Sequence, residues 1–280
     1  MTNLEEKYLD KGFVRLIDTM PQATEDNPGD WAVVQAARVS YGKGTKTKRD
    51  DEKLIRYLMK HRHTSPFEMI VLKFHIKCPI FTARQMFRHR THSANEYSLR
   101  YSEIEDSFYV PEQRRIRTQS KENKQNSSDR VLKESEEIIK KIEEVNNFCY
   151  DTYKKLLNYD NSLEEPVSRE VARIVLPLSS YTQFYWVQNM HNFLHFIHLR
   201  MSENSQEEIR LLAEKMFGMV KKLFPVTCQA WYDYVYNSVT LSKNELLYLK
   251  NLWHLTPQHG LISEKEEKEL IRKIERIIHS

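Results

Sequence analysis

The segment Arg88-His-Arg-Thr-His-Ser-Ala-Asn-Glu-Tyr-Ser-Leu-Arg100 is the densest polar cluster of the chain, with three arginines, two histidines, two serines, an asparagine and a glutamate. Guanidinium groups present forked donors that match phosphates and planar acceptors. Glu96 and Asn95 can read ring N–H and C=O groups or orient the arginines, and His89 can donate to a nucleotide or shuttle a proton. Composition leaves three readings open: a solvated basic loop with surface ion pairs, a phosphate-gripping site, and a nucleic-acid patch. The last is the weakest, because few aromatics are interleaved and the net charge is only +4.

Other residues have the spacing for chemistry. Arg169 and Arg173 lie four apart, on one face of a helix, either gripping an anion or solvated beside Glu165 and Glu170. Arg200 ends an apolar helix, where a cation offsets the helix dipole. His191, His195 and His198 share a helix face, as ligands of a metal do, but no acidic ligand or general-base glutamate lies within that helix. Ser98 has no evident His–Asp relay to make it a nucleophile.

The elements that must position these groups follow from periodicity. Gly12–Met20 alternates as a strand, Met69–Cys78 is β-rich, and Tyr181–Val187 is aromatic and β-rich. Asp30 can cap a helix through Arg38, and Asp51 can cap another carrying Leu54, Ile55, Leu58 and Met59. Pro79 starts a helix to about Arg88. Ser65-Pro-Phe-Glu68 reads as an N-cap with a capping-box glutamate. Val131–Leu157 reads as an amphipathic helix with Ile138, Ile142, Val145 and Cys149 on its buried side. Pro166 suits the first turn of a helix ending before Pro177, and Asn189–Arg200 and Gln206–Phe224 read as helices. Arg90–Tyr101 reads as loop, and Arg114–Arg130 as a solvated, mobile loop. Ser242–Glu245 and Ser263–Glu266 fit capping boxes of two final helices, the last with Leu270, Ile271, Ile274, Ile277 and Ile278 on one face. The mixture is α+β and helix-rich, without a regular βαβ array.

Several classes are disfavoured. The six glycines form neither GxGxxG nor GxxxxGK[ST], so phosphates must meet side chains or helix ends. Cys78, Cys149 and Cys228 have no disulfide or zinc-ligand spacing. No run of about 18 apolar residues occurs, and the polar, acidic N-terminus is unlike a signal peptide. The expectation is a soluble cytoplasmic protein of 280 residues, one domain with an appendage, with no membrane or nucleic-acid partner.

The pattern Arg-His-Arg-x-x-Ser-x-Asn-Glu-x-Ser-x-Arg-Tyr-Ser is met at every fixed position from Arg88 to Ser102. It resembles the signature of the flavin-dependent thymidylate synthases. Blocks in that family's order flank it: His61-Arg-His-Thr-Ser-Pro-Phe-Glu68, Pro79-Ile-Phe-x-Ala-Arg-Gln-x-Phe-Arg88, Ser168-Arg-Glu-Val-Ala-Arg-Ile-Val-Leu-Pro-Leu178 and His195-Phe-x-x-Leu-Arg200. The likeness covers about residues 10 to 235. There are departures: His191 stands where many members carry arginine, and of Ser202-Glu-Asn-Ser-Gln206 only Gln206 matches the common Asp-Ser-His-Ala-Gln.

The resemblance implies a helix-rich α+β domain of the thymidylate-synthase-complementing type around a mixed or antiparallel sheet. It would occupy residues 1–238, with loop 112–130, and be followed by a helical extension, 239–280. It implies a methyltransferase that converts dUMP to dTMP, with FAD as cofactor and NADPH and methylenetetrahydrofolate as co-substrates, in a homotetramer with sites at subunit interfaces. Arg200 would be catalytic, meeting the uracil ring and favouring loss of its N–H proton. Gln85, Met86, Phe87, Arg88, Glu96, Tyr97, Ser98, Leu99, Arg100, Arg173 and Arg200 would hold dUMP, with Glu96 to Arg100 reaching a neighbouring subunit. Ser65, Arg88, His89, Arg90, Glu96, Asn189, Met190, His191 and His195 would hold FAD, and His63 and Tyr101 the folate ring. No metal is implied. The rival readings are a metal-dependent hydrolase built on the His191 helix and a nucleic-acid-binding module using Arg88 to Arg100 and Arg114 to Arg117.

Overall fold

The computed structural model of the protein describes residues 4–39, 48–105, 107–246, 268–270 and 272. Its strands are β1 (Leu4–Tyr8), β2 (Gly12–Met20), β3 (Val71–Pro79), β4 (Ser93–Glu96), β5 (Arg117–Gln119), β6 (Ser127–Val131) and β7 (Tyr181–Asn189). Five form one antiparallel sheet in the order β1-β2-β3-β7-β4, and β5 and β6 form a separate two-stranded ribbon. The fold is α+β, as the sequence implied, and its sheet is antiparallel rather than mixed.

Alternation decides which face is covered. Strand β3 buries Leu72, Phe74, Ile76 and Cys78, and β7 buries Thr182, Phe184, Trp186 and Gln188. In β2, Val14 and Leu16 point inward, and a register shift between Leu16 and Asp18 changes the parity so that Thr19 is the next buried residue. Gly12 has no room for a side chain, because a Cβ there would lie 2.5 Å from the Lys77 carbonyl oxygen.

The helices are α1 (Trp31–Arg38), α2 (Lys48–Lys60), α3 (Ile80–Met86), α4 (Ser135–Leu156), α5 (Arg169–Ala172), α6 (Met190–Arg200), α7 (Glu207–Leu223) and α8 (Pro225–Trp231). Helix α6 packs on β7, and α7 packs on β1 and β2. Phe193 of α6 stacks on Phe74 at 5.8 Å between centroids, and Phe196 meets Trp186 at 5.2 Å. These aromatic contacts seat α6 on the sheet.

Several expectations change. Asp30 precedes α1 but makes no side-chain cap to it; its carboxylate accepts from the Val226 and Thr227 N–H groups at 3.1 and 2.8 Å and so caps the first turn of α8. Asp51 lies inside α2 and pairs with Arg38. The Ser65–Met69 segment is a short 3-10 turn preceded by Thr64, without a side-chain cap. Arg90–Tyr101 is not all loop, because β4 joins the β7 edge through its backbone while its side chains stay exposed. Pro166 lies ahead of α5, which starts after Ser168. On α4 the buried residues are Ser135, Asn146 and Tyr153, whereas Ile138, Ile142 and Cys149 are half-buried and Val145 is exposed. A face chosen from apolar residues alone misses that the chain covers a different stripe of this helix.

Segment 112–130, expected to be a solvated, mobile loop, contains regular secondary structure. The 3-10 turn Gln113–Arg115 leads into the β5–β6 ribbon, and Arg115 donates to both carboxylate oxygens of Glu208 at 3.1 and 3.0 Å. Tyr109 donates to the same carboxylate at 3.0 Å, and Arg114 pairs with Glu207. By packing, the chain divides into two units, Met1–Tyr236 and Asn237–Ser280. In the second unit Ser242 and Glu245 form the expected capping box, with the Ser242 N–H donating to Glu245 at 2.7 Å. Ser263–Glu266, Ile271, Ile274, Ile277 and Ile278 lie outside the described residues. No helix among the described residues is long and apolar enough to cross a membrane.

Glu208 is 4% exposed. Burial pushes its carboxyl up, but the Arg115 hydrogen bonds and charge outweigh this and hold it below its ordinary value of 4.5. A carboxylate held down in the folded state contributes stability that is present above about pH 4.5 and lost as the pH falls below it. We predict that Glu208→Ala, which leaves the Arg115 cation without its buried partner, lowers unfolding free energy by about 3 kcal/mol in urea titrations at pH 7 and flattens the loss of stability below pH 4.5. A change within about 0.5 kcal/mol would contradict the anchoring role.

Candidate active site

Strands β3 and β7 lie antiparallel, with Val71 opposite Asn189 and Pro79 opposite Tyr181. Helix α3 starts where β3 ends and α6 starts where β7 ends, so the two helices leave the sheet at opposite ends. Their C-terminal ends meet. Arg200, the last residue of α6, donates from Nε to His89 Nε2 at 3.0 Å and from a terminal nitrogen to the Gln85 carbonyl oxygen at 3.1 Å. That carbonyl belongs to the last turn of α3. His89 lies three residues past the end of α3, with its N–H donating to the Met86 carbonyl at 3.0 Å.

Arg200 is thus held by neutral acceptors. It has no carboxylate partner among the described residues, and burial lowers its pKa. His89 is 8% exposed and packs edge-on against Phe196 at 4.9 Å. Burial first, then the Arg200, His195 and His92 charges, push the imidazole down to about 4. The ring is therefore neutral near pH 7, with its proton on Nδ1 and its Nε2 lone pair facing Arg200. His92, stacked between Phe87 and Trp186 at 5.7 Å from each, contacts the His89 carbonyl through Nδ1.

The side chains around Arg200 are amides and hydroxyls. Gln85 Nε2 donates to Gln206 Oε1 at 2.6 Å. A cleft of about 410 Å³ is lined by Gln85, Gln125, Arg200, Asn204, Ser205 and Gln206, together with Leu199 and Ser202. Gln125 and Asn204 lie outside the sequence-derived site. Gln206 carried a signal, since it matched the family pattern, but Gln125 reaches the cleft only through the tertiary placement of the ribbon.

A second cluster gathers around the end of the polar segment. Tyr97 pairs by its N–H with the Gln183 carbonyl at 2.9 Å, and Glu96 accepts from Thr182 Oγ1 at 2.7 Å. The Ser98 carbonyl accepts from the Tyr101 and Ser102 N–H groups, closing a turn that carries Leu99 and Arg100. Arg100 faces Glu170 at 3.3 Å, and Arg169 faces Glu103 at 3.1 Å. Arg169 therefore does not pair with its helix neighbours. Arg173 follows α5 in a 3-10 turn and has no ion-pair partner among the described residues. No hydrogen bond or ion pair among the described residues joins this cluster to the Arg200 cluster, so in one chain the expected nucleotide residues form two clusters that are not bonded to each other.

Some of the remaining predicted residues gather at the start of α6. The Met190 N–H donates to the Ile70 carbonyl at 2.8 Å, which brings α6 onto the end of the Ser65–Met69 turn. Asn189 caps α6 by accepting from the Asn192 N–H at 2.9 Å. The exposed Ser65 hydroxyl has no partner among the described residues, and the exposed Arg88 and Arg90 have no ion-pair partner there. His191 is half-buried and His195 exposed, and His195 meets His89 edge-on at 6.2 Å. His63, with Tyr57 and His61, forms an exposed aromatic group, and Tyr101 is also exposed. The side chains of Met86 and Met190 are fully buried in the single chain. The described residues contain no group of three His, Cys, Asp or Glu arranged to hold a metal, and Cys78, Cys149 and Cys228 are free thiols.

A family model described as thymidylate synthase complementing protein matches residues 15–226. The chain is 49% identical over 250 residues to a flavin-dependent thymidylate synthase of Thermus thermophilus, covering 89% of this chain and 86% of that protein. It is 42% identical over 276 residues to one of Wolbachia pipientis, covering 97% and 93%. Among solved structures it is similar to a UMP/dUMP methylase of Streptomyces cacaoi bound with 5-Br dUMP, at 32% identity and a TM-score of 0.71, covering 84% of this chain and all of that one. The same methylase bound with 5-Br UMP aligns at 33% identity and a TM-score of 0.69, covering 83% and 99%.

An imidazole held down by burial resists protonation, so the folded state loses stability as the pH falls from about 6.5, where the unfolded histidine titrates, toward about 4. We predict an NMR titration midpoint for His89 near 4 and, for His89→Gln, a shallower fall in melting temperature between pH 6.5 and 4. A midpoint near 6.5 would contradict the buried, neutral imidazole.

Proposed function

The chain belongs to the thymidylate synthase complementing protein family, and from that premise we propose how its residues divide the work. The protein is a flavin-dependent thymidylate synthase, a methyltransferase that converts dUMP to dTMP. In our reading the flavin is FAD, the carbon comes from methylenetetrahydrofolate and the electrons from NADPH. The catalytic domain is residues 1–238, and residues 239–280 are a C-terminal helical extension.

The observation that carries the reading is Arg200, a half-buried cation held only by neutral acceptors. An uncompensated cation beside a uracil ring favours the ring's anionic form. Its ring carbon then becomes electron-rich without attack by a protein thiol. Burial raises the thiol pKa of Cys78 and Cys228, which suits neither for that attack. Gln85, Arg88, Glu96, Ser98, Arg100 and Arg173 hold the rest of the nucleotide, with Phe87, Tyr97 and Leu99 shaping its walls.

The residues present fit a flavin dinucleotide. The unpartnered Ser65 hydroxyl, the exposed Arg88 and Arg90 cations and the open face of α6 at His191 and His195 suit a pyrophosphate and a planar ring. When bound, the flavin supplies the redox chemistry. His89 holds Arg200 in place as a neutral acceptor, Asn189 fixes the start of α6, and His63 and Tyr101 offer surfaces for the folate ring.

The two clusters of the nucleotide site meet across subunits in a homotetramer. Phe148 is 73% exposed, Ile174 75% and Leu178 64% in the single chain, apolar surface that an assembly covers.

The purified protein should be yellow, run at tetramer mass and release tritium from dUMP labelled at the methyl-accepting carbon. Arg200→Ala should keep the flavin and the mass but lower turnover by at least roughly 100-fold, in line with loss of a group that stabilises charge in the transition state. Near-normal turnover by that variant would remove the catalytic assignment, and a colourless protein that binds no added flavin would remove the cofactor assignment.

A further inference from the structure

The β5–β6 ribbon lies between the motif blocks rather than in one of them, yet it is tied down at both ends. Its base is held by Arg114 and Arg115 on Glu207 and Glu208. Its tip is held by Asn123 and Asn126, whose side-chain amides donate to Asn204 Oδ1 at 3.1 and 3.2 Å. The tip is also braced internally. Ser120 N–H donates to the Asn126 carbonyl at 2.9 Å, Asn126 N–H to the Asn123 carbonyl at 3.0 Å, and Gln125 N–H to Asn123 Oδ1 at 3.0 Å. Gln119 Nε2 donates to the Lys124 and Asn126 carbonyls, both at 2.9 Å. Residues 202–206, on which the tip rests, lead directly from Arg200 to α7.

This bracing fixes the backbone of Gln125 and leaves its side chain free. The Gln125 carboxamide has no hydrogen-bond partner among the described residues, and it lines the cleft that contains Arg200. Among the described residues Arg200 is the only charged one lining that cleft, and four of the others are carboxamides: Gln85, Gln125, Asn204 and Gln206. A lining rich in carboxamides pairs with alternating C=O and N–H groups, whereas a phosphate would be met by several cations.

The geometry points to Gln125 as a positioning and specificity residue, delivered by the ribbon to hydrogen-bond the imide edge of a planar ring in the Arg200 cleft. Two ligands of this enzyme class carry that edge, the uracil of the substrate and the pyrimidine end of the flavin. The inference rests on the reading that the Arg200 cleft is the active site. Asn204 acts through the ribbon, as the acceptor that seats the tip.

The test uses the full-length, flavin-loaded enzyme with Gln125→Ala, Asn204→Ala, Arg200→Ala and, as a control on the exposed flank of the tip, Lys121→Ala. Loss of one hydrogen bond to the ring should raise the dUMP KM of the Gln125 variant roughly 3- to 10-fold, with a smaller change in kcat. Asn204→Ala should follow it, and Lys121→Ala should match wild type. If the ring is the flavin's, the same two variants lose flavin affinity by that factor while the dUMP KM holds. A merely structural tip contact would instead lower the melting temperature of Asn204→Ala alone, with no selective change in either ligand and with Gln125→Ala like wild type, and would overturn the proposal. Wild-type dUMP KM and flavin affinity in both Gln125→Ala and Asn204→Ala would overturn the proposal. If those two are silent while Arg200→Ala is inactive, only the ribbon's role falls; if Arg200→Ala turns over normally, the reading of the cleft falls with it.

Discussion

The site turns on the contact between a half-buried guanidinium and a neutral imidazole. Removing a charge from water is costly, and proteins usually offset this with an opposite charge. Arg200 has instead the Nε2 lone pair of His89 and the carbonyl of Gln85. Both satisfy N–H donors without cancelling the positive charge. The arrangement requires His89 to stay unprotonated, and its burial among Phe196, His92 and His195 secures that. A carboxylate in place of His89 would hold Arg200 as firmly but neutralise the positive field on which the role proposed for Arg200 depends.

Holding such a contact demands a rigid support. Arg200 and His89 sit at or just past the ends of helices that leave adjacent antiparallel strands at opposite ends, so their meeting depends on how α6 lies across the sheet. Phe74, Trp186, Phe193 and Phe196 set that placement through fully buried aromatic packing. The Asn189 cap and the Met190 to Ile70 hydrogen bond fix where α6 begins. The segment after α6 is secured separately, by Glu207 and Glu208 on the base of the β5–β6 ribbon and by Asn204 on its tip.

Much of this was legible in the sequence. Strands β2, β3 and β7 and helices α3, α6 and α7 followed from alternation and periodicity, because each buries one face against the sheet. The polar cluster from Arg88 to Ser102, with its flanking blocks, pointed to the nucleotide chemistry. The misses share a cause, which is that the deciding interaction lies far along the chain. Strand β4 has four exposed side chains and exists because the β7 edge offers backbone partners. The ribbon looked solvated because Arg115 finds its buried carboxylate at Glu208, 93 residues on. Asp30 caps a helix 196 residues away rather than its own. On α4, Val145 is exposed and Ile138, Ile142 and Cys149 are only half-buried, so the face that looked like core in sequence is partly surface in the single chain.

The role we propose for Arg200 is electrostatic: left without a carboxylate, it would make the bound pyrimidine more acidic. Fluorine NMR of bound 5-fluoro-dUMP measures this directly, since the fluorine shift reports ionisation of the neighbouring ring N–H. The account predicts that the ring titrates at least about one pH unit lower on the flavin-loaded enzyme than free in solution, a difference of about 1.4 kcal/mol. A bound ring that titrates at or above its free value would contradict it.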